Sequence, residues 1–358
     1  MTSPDSGAGR AHVVGLGLIG ASLARALVER GWSVSGWDLD PAVRAAARDA
    51  TLIDGDAVDS GTSLVVVAVP AGAVVEVVRD SLAQLGERDA IVTDVAGVKG
   101  SIVAALDDPR FLGGHPMAGS EQRGLAGARA DLFQGCTWVL TPTTRTRPET
   151  YGRLHGILRD LGANVVAVPA PDHDRLVAVA SHVPHLLAGA LMNEADHAAQ
   201  QDAVLLQLAA GGFRDMTRVA AGDPRIWPDI LMENRDAIVP ALRSLSDRLA
   251  RVGDALEAGD PSLVTRDLQS AAHARRQLPG RALDPASLRY LRVAVTDRPG
   301  VLAAVTVAAS ELLVNIYDIE IAHGIEGASG TLLLAVDADR ADVLHDALRE
   351  RGFTVSPA

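Results

Sequence analysis

The sequence predicts a parallel α/β domain, then an all-helical domain, then a small βαββαβ module. Three observations carry that reading. Short apolar runs alternate with amphipathic segments through the first 170 residues, and such alternation builds a parallel sheet with helices on both faces. Between residues 171 and 279 the strand-like runs vanish, and long Ala/Leu/Arg segments of helical periodicity replace them. From Leu288 onward, strand and helix patterns return in the order βαββαβ, which is that of a ferredoxin-like module. A length of 358 residues suits this division, since domains commonly run to about 150 residues.

Residues 1–10 are rich in Ser, Gly and Pro. They lack the apolar stretch of a signal peptide and are expected to be disordered. Residues 11–170 are expected to form the first domain. Its strands are placed at Ala11–Gly15, Ser33–Trp37, Leu64–Val69, Ala90–Thr93, Thr137–Thr141 and Asn164–Ala167, with helices such as Ile19–Arg30 and Pro41–Ala50 between them. The apolar stretch from Ala11 to Val28 resembles a membrane span in composition, but it carries His12, Arg25 and three glycines and changes pattern halfway; no membrane association is expected.

Residues 171–279 are expected to be helical over Asp172–His197, Ala203–Leu208, Pro224–Leu256 and Pro261–Gln277. Asp223 before Pro224 and Asp260 before Pro261 are helix-opening signals. Residues 280–287, with Gly280 and Pro285, read as a linker. Residues 288–358 then supply a strand (Leu288–Val295), a turn (Asp297–Gly300), a helix (Val301–Leu312), two strands (Val314–Ala322 and Gly330–Val336), a helix (Arg340–Arg351) and a last strand (Phe353–Ser356).

Composition narrows the function. The hydrophobic fraction of 48% and the charged fraction of 22% belong to a folded globular chain. A net charge of −12 argues against a nucleic-acid partner. The single cysteine, Cys136, forms no intramolecular disulfide and no Cys-based metal site, which suits a reducing cytoplasm. Lys99 is the only lysine in the chain.

Five motifs carry chemistry. Gly15-Leu16-Gly17-Leu18-Ile19-Gly20 follows a strand and opens a helix, the context that a dinucleotide fingerprint requires. Gly15 allows the tight turn, Gly17 the approach of a pyrophosphate and Gly20 close helix–strand packing. The helix start at Leu18 and Ile19 then offers free N–H groups. The domain is therefore expected to be Rossmann-type. Asp38 ends the second strand at the spacing of a ribose-binding acid, which favours NAD over NADP; it also begins the turn Asp38-Leu39-Asp40-Pro41. Val69-Pro70 ends another strand and is expected over the cofactor cleft.

The third motif, Gly113-Gly114-His115-Pro116-Met117-Ala118-Gly119-Ser120-Glu121, reads as a rigid loop presenting His115. A neutral imidazole is a suitable general base near neutral pH. The fourth, Ser181-His182-Val183-Pro184-His185, places two histidines across a Pro-kinked turn. Substrate contact and a satisfied helix histidine both remain open there, and no metal is expected. In the fifth, Gly211-Gly212-Phe213-Arg214-Asp215-Met216-Thr217-Arg218, the arginines suit carboxylate binding or a solvated helix start.

In this order these motifs resemble the prephenate dehydrogenase family, which includes arogenate and cyclohexadienyl dehydrogenases. The resemblance covers about Ala11 to Leu278. It rests on Gly113–Glu121, Ser181–His185 and Gly211–Ala220, followed by Trp227 and Glu233-Asn234. The tail, with Asp297-Arg298-Pro299-Gly300-Val301-Leu302 and Asn315-Ile316-Tyr317-Asp318-Ile319, resembles an ACT domain. The resemblance implies NAD-dependent oxidative decarboxylation of prephenate to 4-hydroxyphenylpyruvate, with arogenate as the alternative substrate. His115 matches the catalytic histidine that takes the ring-hydroxyl proton. Arg218 matches a carboxylate anchor, and His185 a second pocket histidine. Ser120, Glu121 and Asp215 match polar groups of the substrate pocket.

One position departs from the family's pattern. Asp94-Val95-Ala96-Gly97-Val98-Lys99 carries Gly97 where relatives usually have Ser, which keeps a 4-amino-4-deoxy analogue open as substrate. A non-enzymatic sensor of dinucleotide and amino acid is the reading from another class; His115 and Arg218 argue against it. The family also implies a homodimer built on the helical domain. The ACT resemblance implies tyrosine as allosteric effector, bound by Asp297, Pro299, Gly300, Val301, Asn315 and Ile316.

Overall fold

The structure, a computed structural model, describes the chain except residues 1–8, 119–121, 123, 203, 206, 207, 210, 223, 278–287, 297–299, 324–328 and 358. The described residues fall into two compact units. One lies within 1–174, 222–233 and 289–358, the other within 175–221 and 234–288.

In the first unit, seven strands form one sheet. They are β1 (Arg10–Val14), β2 (Ser33–Trp37), β3 (Thr62–Val67), β4 (Ile91–Asp94), β5 (Phe111–Pro116), β6 (Thr137–Thr141) and β7 (Asn164–Ala167), in the order β2-β1-β3-β4-β5-β6-β7. Neighbouring strands are parallel except β5 and β6. The apolar runs that announced the strands are buried, with Val13, Val65, Val67 and Val92 fully enclosed, as a sheet covered on both faces requires. The order reverses about β1, whose Val14 is in register with Trp37 of β2 and Val67 of β3. Three strand ends therefore open side by side, at the point where sheets of this Rossmann type bind ligands.

The helices between these strands are α1 (Leu18–Glu29), α2 (Pro41–Asp49), α3 (Val74–Leu85), α4 (Gly100–Ala105) and α5 (Pro148–Asp160). α1 buries Gly20, Ala21, Ala24 and Ala26, small residues that let its backbone approach the sheet closely. α2 starts where Asp40 accepts the N–H of Ala42 at 2.8 Å, with Pro41 in the first helical turn.

Within the segment read as a loop, Gly113–Pro116 is instead the end of β5, paired antiparallel with β6 as His115↔Val139. Its two glycines serve close approach rather than a turn. A Cβ at Gly113 would fall 2.5 Å from Thr141 Oγ1, and one at Gly114 would fall 2.8 Å from the Asp94 carbonyl oxygen.

The remaining helices of the middle region are α6 (Ala170–Val177), α7 (Val183–Ala199), α8 (Gly211–Thr217), α9 (Trp227–Glu233), α10 (Arg235–Glu257) and α11 (Pro261–Arg276). A π turn over Ala178–His182 joins α6 to α7 immediately before Pro184, which has no N–H to continue the regular ladder. Asp260 opens α11 as its spacing predicts, accepting the N–H of Ser262 at 2.9 Å; Asp223 lies outside the described residues. The apolar stretch Ala11–Val28 divides into β1, the glycine turn and most of α1. Among the described residues, one helix, Ala170–Ala199, is long and apolar enough to cross a membrane, and it leaves Leu176, Val179 and Leu187 exposed on this chain.

The C-terminal residues form β8 (Leu288–Thr296), α12 (Val301–Glu311), β9 (Ile316–His323), β10 (Ser329–Asp337), α13 (Ala341–Glu350) and β11 (Thr354–Pro357), with sheet order β11-β8-β10-β9. The alternation in β8 buries Leu291, Val293 and Val295, and Leu302, Val305, Leu344 and Leu348 of the two helices join them in the core. β9 runs beside β7. His155 of α5 donates to Asp318 at 3.1 Å, and Ser310 of α12 donates to Asp172 of α6 at 2.5 Å.

His12 in β1 gives this fold an acid-sensitive point. Its ring is buried, with Nδ1 2.8 Å from Ser35 Oγ. Burial lowers its pKa from 6.5 to about 4, opposed by the charges of Asp59 and Asp56 and reinforced by Arg10. Between these values the unfolded chain binds a proton that the folded chain refuses. The contribution is therefore intact above pH 6.5 and is lost as the pH falls toward 4, by on the order of 3 kcal/mol. Urea unfolding of His12→Gln is expected to show a smaller loss of stability on acidification than the parent chain.

Candidate active site

The site begins at the aligned ends of β1, β2 and β3. Gly15 takes φ +91°, and its N–H donates to the Trp37 carbonyl at 2.7 Å. A Cβ there would meet the Ala68 carbonyl oxygen at 2.3 Å, and one at Gly20 would meet the Gly15 carbonyl oxygen at 1.9 Å. The protein's own packing thus demands both glycines. At Gly17 a Cβ would have no atom within 4 Å. The bare backbone there, followed by Leu18 and Ile19 at an α1 start with no side-chain cap, leaves a backbone cradle open to an anion.

Asp38 serves the turn and the glycine loop together. Its carboxylate accepts the N–H of Leu16 at 2.8 Å and that of Asp40 at 3.0 Å. The Arg44 guanidinium lies 4.2 Å over the Trp37 ring. Val69 and Pro70 follow β3 and lead into a short 3₁₀ turn over Ala71–Ala73.

At the end of β4, Asp94 and Lys99 form an ion pair with both side chains at 0% exposure. Burial pushes the Lys99 amine down from its usual range, while the Asp94 charge beside it pulls the other way. Asp94 also accepts the N–H of Ala96 at 3.0 Å and of Gly114 at 3.2 Å. The lone lysine is therefore a structural cation that fixes the loop between β4 and α4.

His115 is half-buried at the end of β5. Its Nδ1 lies 2.8 Å from Nε2 of His173, whose Nδ1 lies 2.8 Å from Oδ1 of Asp174. Asp174 further accepts the N–H groups of Lys99 and Gly100 at 2.8 and 2.7 Å. Burial alone would raise the Asp174 carboxyl, but the hydrogen bonds from His173, Gly100 and Lys99 outweigh it and hold the group below its ordinary value. Gly97 faces the other side of the His115 ring, where a Cβ would lie 3.6 Å from Nε2.

The helical unit holds the other residues expected to bind substrate. His182 is buried and receives a 3.0 Å hydrogen bond from the Asn234 amide. His185 on α7 is half-buried, and burial pulls its pKa down. Arg218 starts a 3₁₀ turn, and it and Asp215 of α8 are exposed on this chain. That turn and α8 both pack on α7. Ser120 and Glu121 lie outside the described residues, as do Asp297 and Pro299. Gly300 and Val301 line a cavity of about 610 Å³ with Thr144, Thr296, Arg351 and Phe353. Asn315 and Ile316 do not line it: Asn315 is exposed and Ile316 is buried in the module core.

Sequence reasoning did not select His173, Asp174 or Asp94. The run Asp172-His173-Asp174 was a signal, read only as the start of a helix. Among the described residues, no three His, Cys, Asp or Glu side chains are grouped to hold a metal ion.

Two family models match the chain. "Prephenate dehydrogenase, nucleotide-binding domain" covers residues 23–167, and "Prephenate dehydrogenase, dimerization domain" covers residues 169–270. A prephenate dehydrogenase of Bacillus subtilis (strain 168) is 31% identical over 341 residues, spanning 91% of this chain and 92% of its own. The crystal structure of prephenate dehydrogenase from A. aeolicus, in complex with hydroxyphenyl propionate and NAD+, superposes with a TM-score of 0.70 at 28% identity, covering 75% of this chain and 98% of that one. Arogenate dehydrogenase of Synechocystis gives 0.65 at 31% identity, covering 75% and 99%.

The geometry sets two outcomes. Lys99→Met strands Asp94 as an uncompensated buried charge and is expected to cost about 3–5 kcal/mol, read from the urea midpoint. Gly97→Ser meets His115 only at ordinary van der Waals distance. It is expected to keep folding stability within about 0.5 kcal/mol and to change turnover rather than KM.

Proposed function

The chain belongs to the prephenate dehydrogenase family, and on that premise we propose how its residues convert prephenate to 4-hydroxyphenylpyruvate with NAD and release of CO2. The observation that carries the reading is His115, held through Nδ1 with Nε2 beside Gly97, at the same end of the sheet as the glycine cradle. Gly17 and the α1 amides of Leu18 and Ile19 fit the pyrophosphate, Asp38 the ribose, and Val69-Pro70 the wall of the cleft. NAD bound there would supply the hydride acceptor for C4 of the ring. As the hydride leaves, Nε2 of His115 takes the proton of the 4-hydroxyl. The bond to the ring carboxylate then breaks, its electron pair completes the aromatic ring, and the proton on His115 returns to the phenolic oxygen. No net proton is released. Aromatisation supplies the driving force, so the protein's tasks are positioning and proton transfer.

Arg218 anchors a substrate carboxylate, and His185, Asp215, Ser120 and Glu121 are further substrate-binding residues. A net-negative chain needs such a local cation to hold a dianion. Arogenate, which gives tyrosine directly, is the second reading, favoured by the likeness to the Synechocystis enzyme. Gly97 removes a hydroxyl next to Nε2 and leaves that space to water or substrate.

The working unit is a homodimer in the cytoplasm, joined through the helical domain. The exposed Leu187, Leu249, Leu256 and Leu268 of that unit support this. The C-terminal βαββαβ module acts as an ACT domain with tyrosine as allosteric effector. The cavity beside Gly300 and Val301, at the start of α12, supports that role.

One assay tests the set. Purified protein is offered NAD with prephenate or arogenate, with and without tyrosine, and NADH absorbance is followed. NADH is expected with prephenate, at a lower rate when tyrosine is added. His115→Asn is expected to bind NAD normally and to lose on the order of 10²–10⁴ in turnover. Near-normal turnover in that variant would remove His115 as the base. NADH from arogenate alone would change the substrate, and an unaltered rate with tyrosine would remove the effector.

A further inference from the structure

We propose that His173 and Asp174 are positioning residues that hold His115 in the one neutral tautomer able to accept the substrate proton. The proposal rests on His115 being the base, and it follows from the donors and acceptors of two linked hydrogen bonds. Asp174 receives the Lys99 and Gly100 N–H groups, which only donate. Its carboxylate can therefore only accept from Nδ1 of His173 at 2.8 Å, and Nδ1 of His173 carries the hydrogen. In a neutral ring the other nitrogen, Nε2, is then a bare lone pair. That lone pair lies 2.8 Å from Nδ1 of His115, so Nδ1 of His115 must donate. The hydrogen on His115 is thereby assigned to Nδ1, and Nε2, on the side facing Gly97, carries the lone pair.

The opposite tautomer would present an N–H to the substrate hydroxyl and could take no proton. A free imidazole populates both forms, and the chain of two hydrogen bonds selects one. The ring centroids lie 5.1 Å apart with planes at 73°, the separation of two imidazoles joined nitrogen to nitrogen at 2.8 Å, so the His115 N–H points at the His173 nitrogen. His173 is 1% exposed, so little water competes for the bond. When His115 becomes an imidazolium, its Nδ1 proton still faces an acceptor backed by the Asp174 charge. The logic is that of an acid–histidine pair orienting a base, with a second histidine interposed. Asp94 and Lys99 meet each other and reach this pair of bonds through the backbone N–H groups of Gly114 and Lys99.

A merely structural dyad would pin α6 to α4 and leave the His115 tautomer alone, and the experiment separates the two roles. Enzyme labelled with 15N-histidine is examined at a pH where its histidines are neutral, with the His115 signals assigned by their loss in His115→Asn. The expected spectrum shows a protonated Nδ1 and a bare Nε2 on His115. In His173→Leu those signals are expected to move toward a mixture of tautomers. Turnover should then fall on the order of 10²-fold, with KM for prephenate and NAD held within about threefold. His173→Gln offers an amide oxygen to the same N–H; it is expected to keep the tautomer and to restore turnover to within about tenfold of the parent. It also carries the test should the leucine variant not fold.

A resting His115 protonated at Nε2, an unchanged tautomer in His173→Leu, or a loss confined to KM would each overturn the proposal. The base itself is judged separately: His115→Asn with full turnover removes that role, while the tautomer spectrum still decides what the dyad does.

Discussion

Two charges buried where water does not reach organise this site. Asp94 and Lys99 are both fully enclosed, and a charge in that setting is tolerated only when its partner and its hydrogen bonds are complete. Completing them forces the surroundings into place. Asp94 takes the N–H of Ala96 and of Gly114, which ties the end of β4 to its own following loop and to the residue before His115. The backbone of Lys99 donates onward to Asp174. One ion pair thus fixes the loop that faces His115 on one side and the carboxylate that steers it from the other. Its value lies in the arrangement more than in stability, since buried pairs seldom improve on apolar packing.

The glycine fingerprint shows how one motif answers two kinds of demand. Gly15 is required by its contact with Ala68 and Gly20 by its contact with the Gly15 backbone, whereas the protein's own atoms place no demand on Gly17. The first two meet a demand of folding; the third meets none that the folded chain makes. The open space at Gly17 is the more informative of the two, because it is a cost in backbone freedom that the folded chain alone does not explain.

Much of this was legible in the sequence, for local reasons. The strand–helix alternation, the spacing of Asp38 from the glycines and the cap at Asp260 depend on neighbours in the chain. His115 was found as a chemical candidate but placed in a loop, because paired glycines normally weaken a strand. Here they lie where Thr141 and Asp94 crowd the backbone, a fact that needs the partner strands. His173 and Asp174 escaped notice because 58 residues separate His115 from its ring partner and no periodicity links them. Asn315 and Ile316 were grouped with Gly300 by their motif, yet they fall away from the cavity that Gly300 lines.

The burial of Lys99 also decides how the chain meets reactive chemistry. Every other Lys-or-Arg position in the sequence is arginine, so the only side-chain amine is sealed inside the fold at 0% exposure. Amine-directed acylating agents, amine crosslinkers and lysine-directed modifying enzymes therefore find no side-chain amine on the folded surface. Reaction at Lys99 requires the strand ends around Asp94 to open, which makes acylation at Lys99 a chemical clock for local unfolding beside His115.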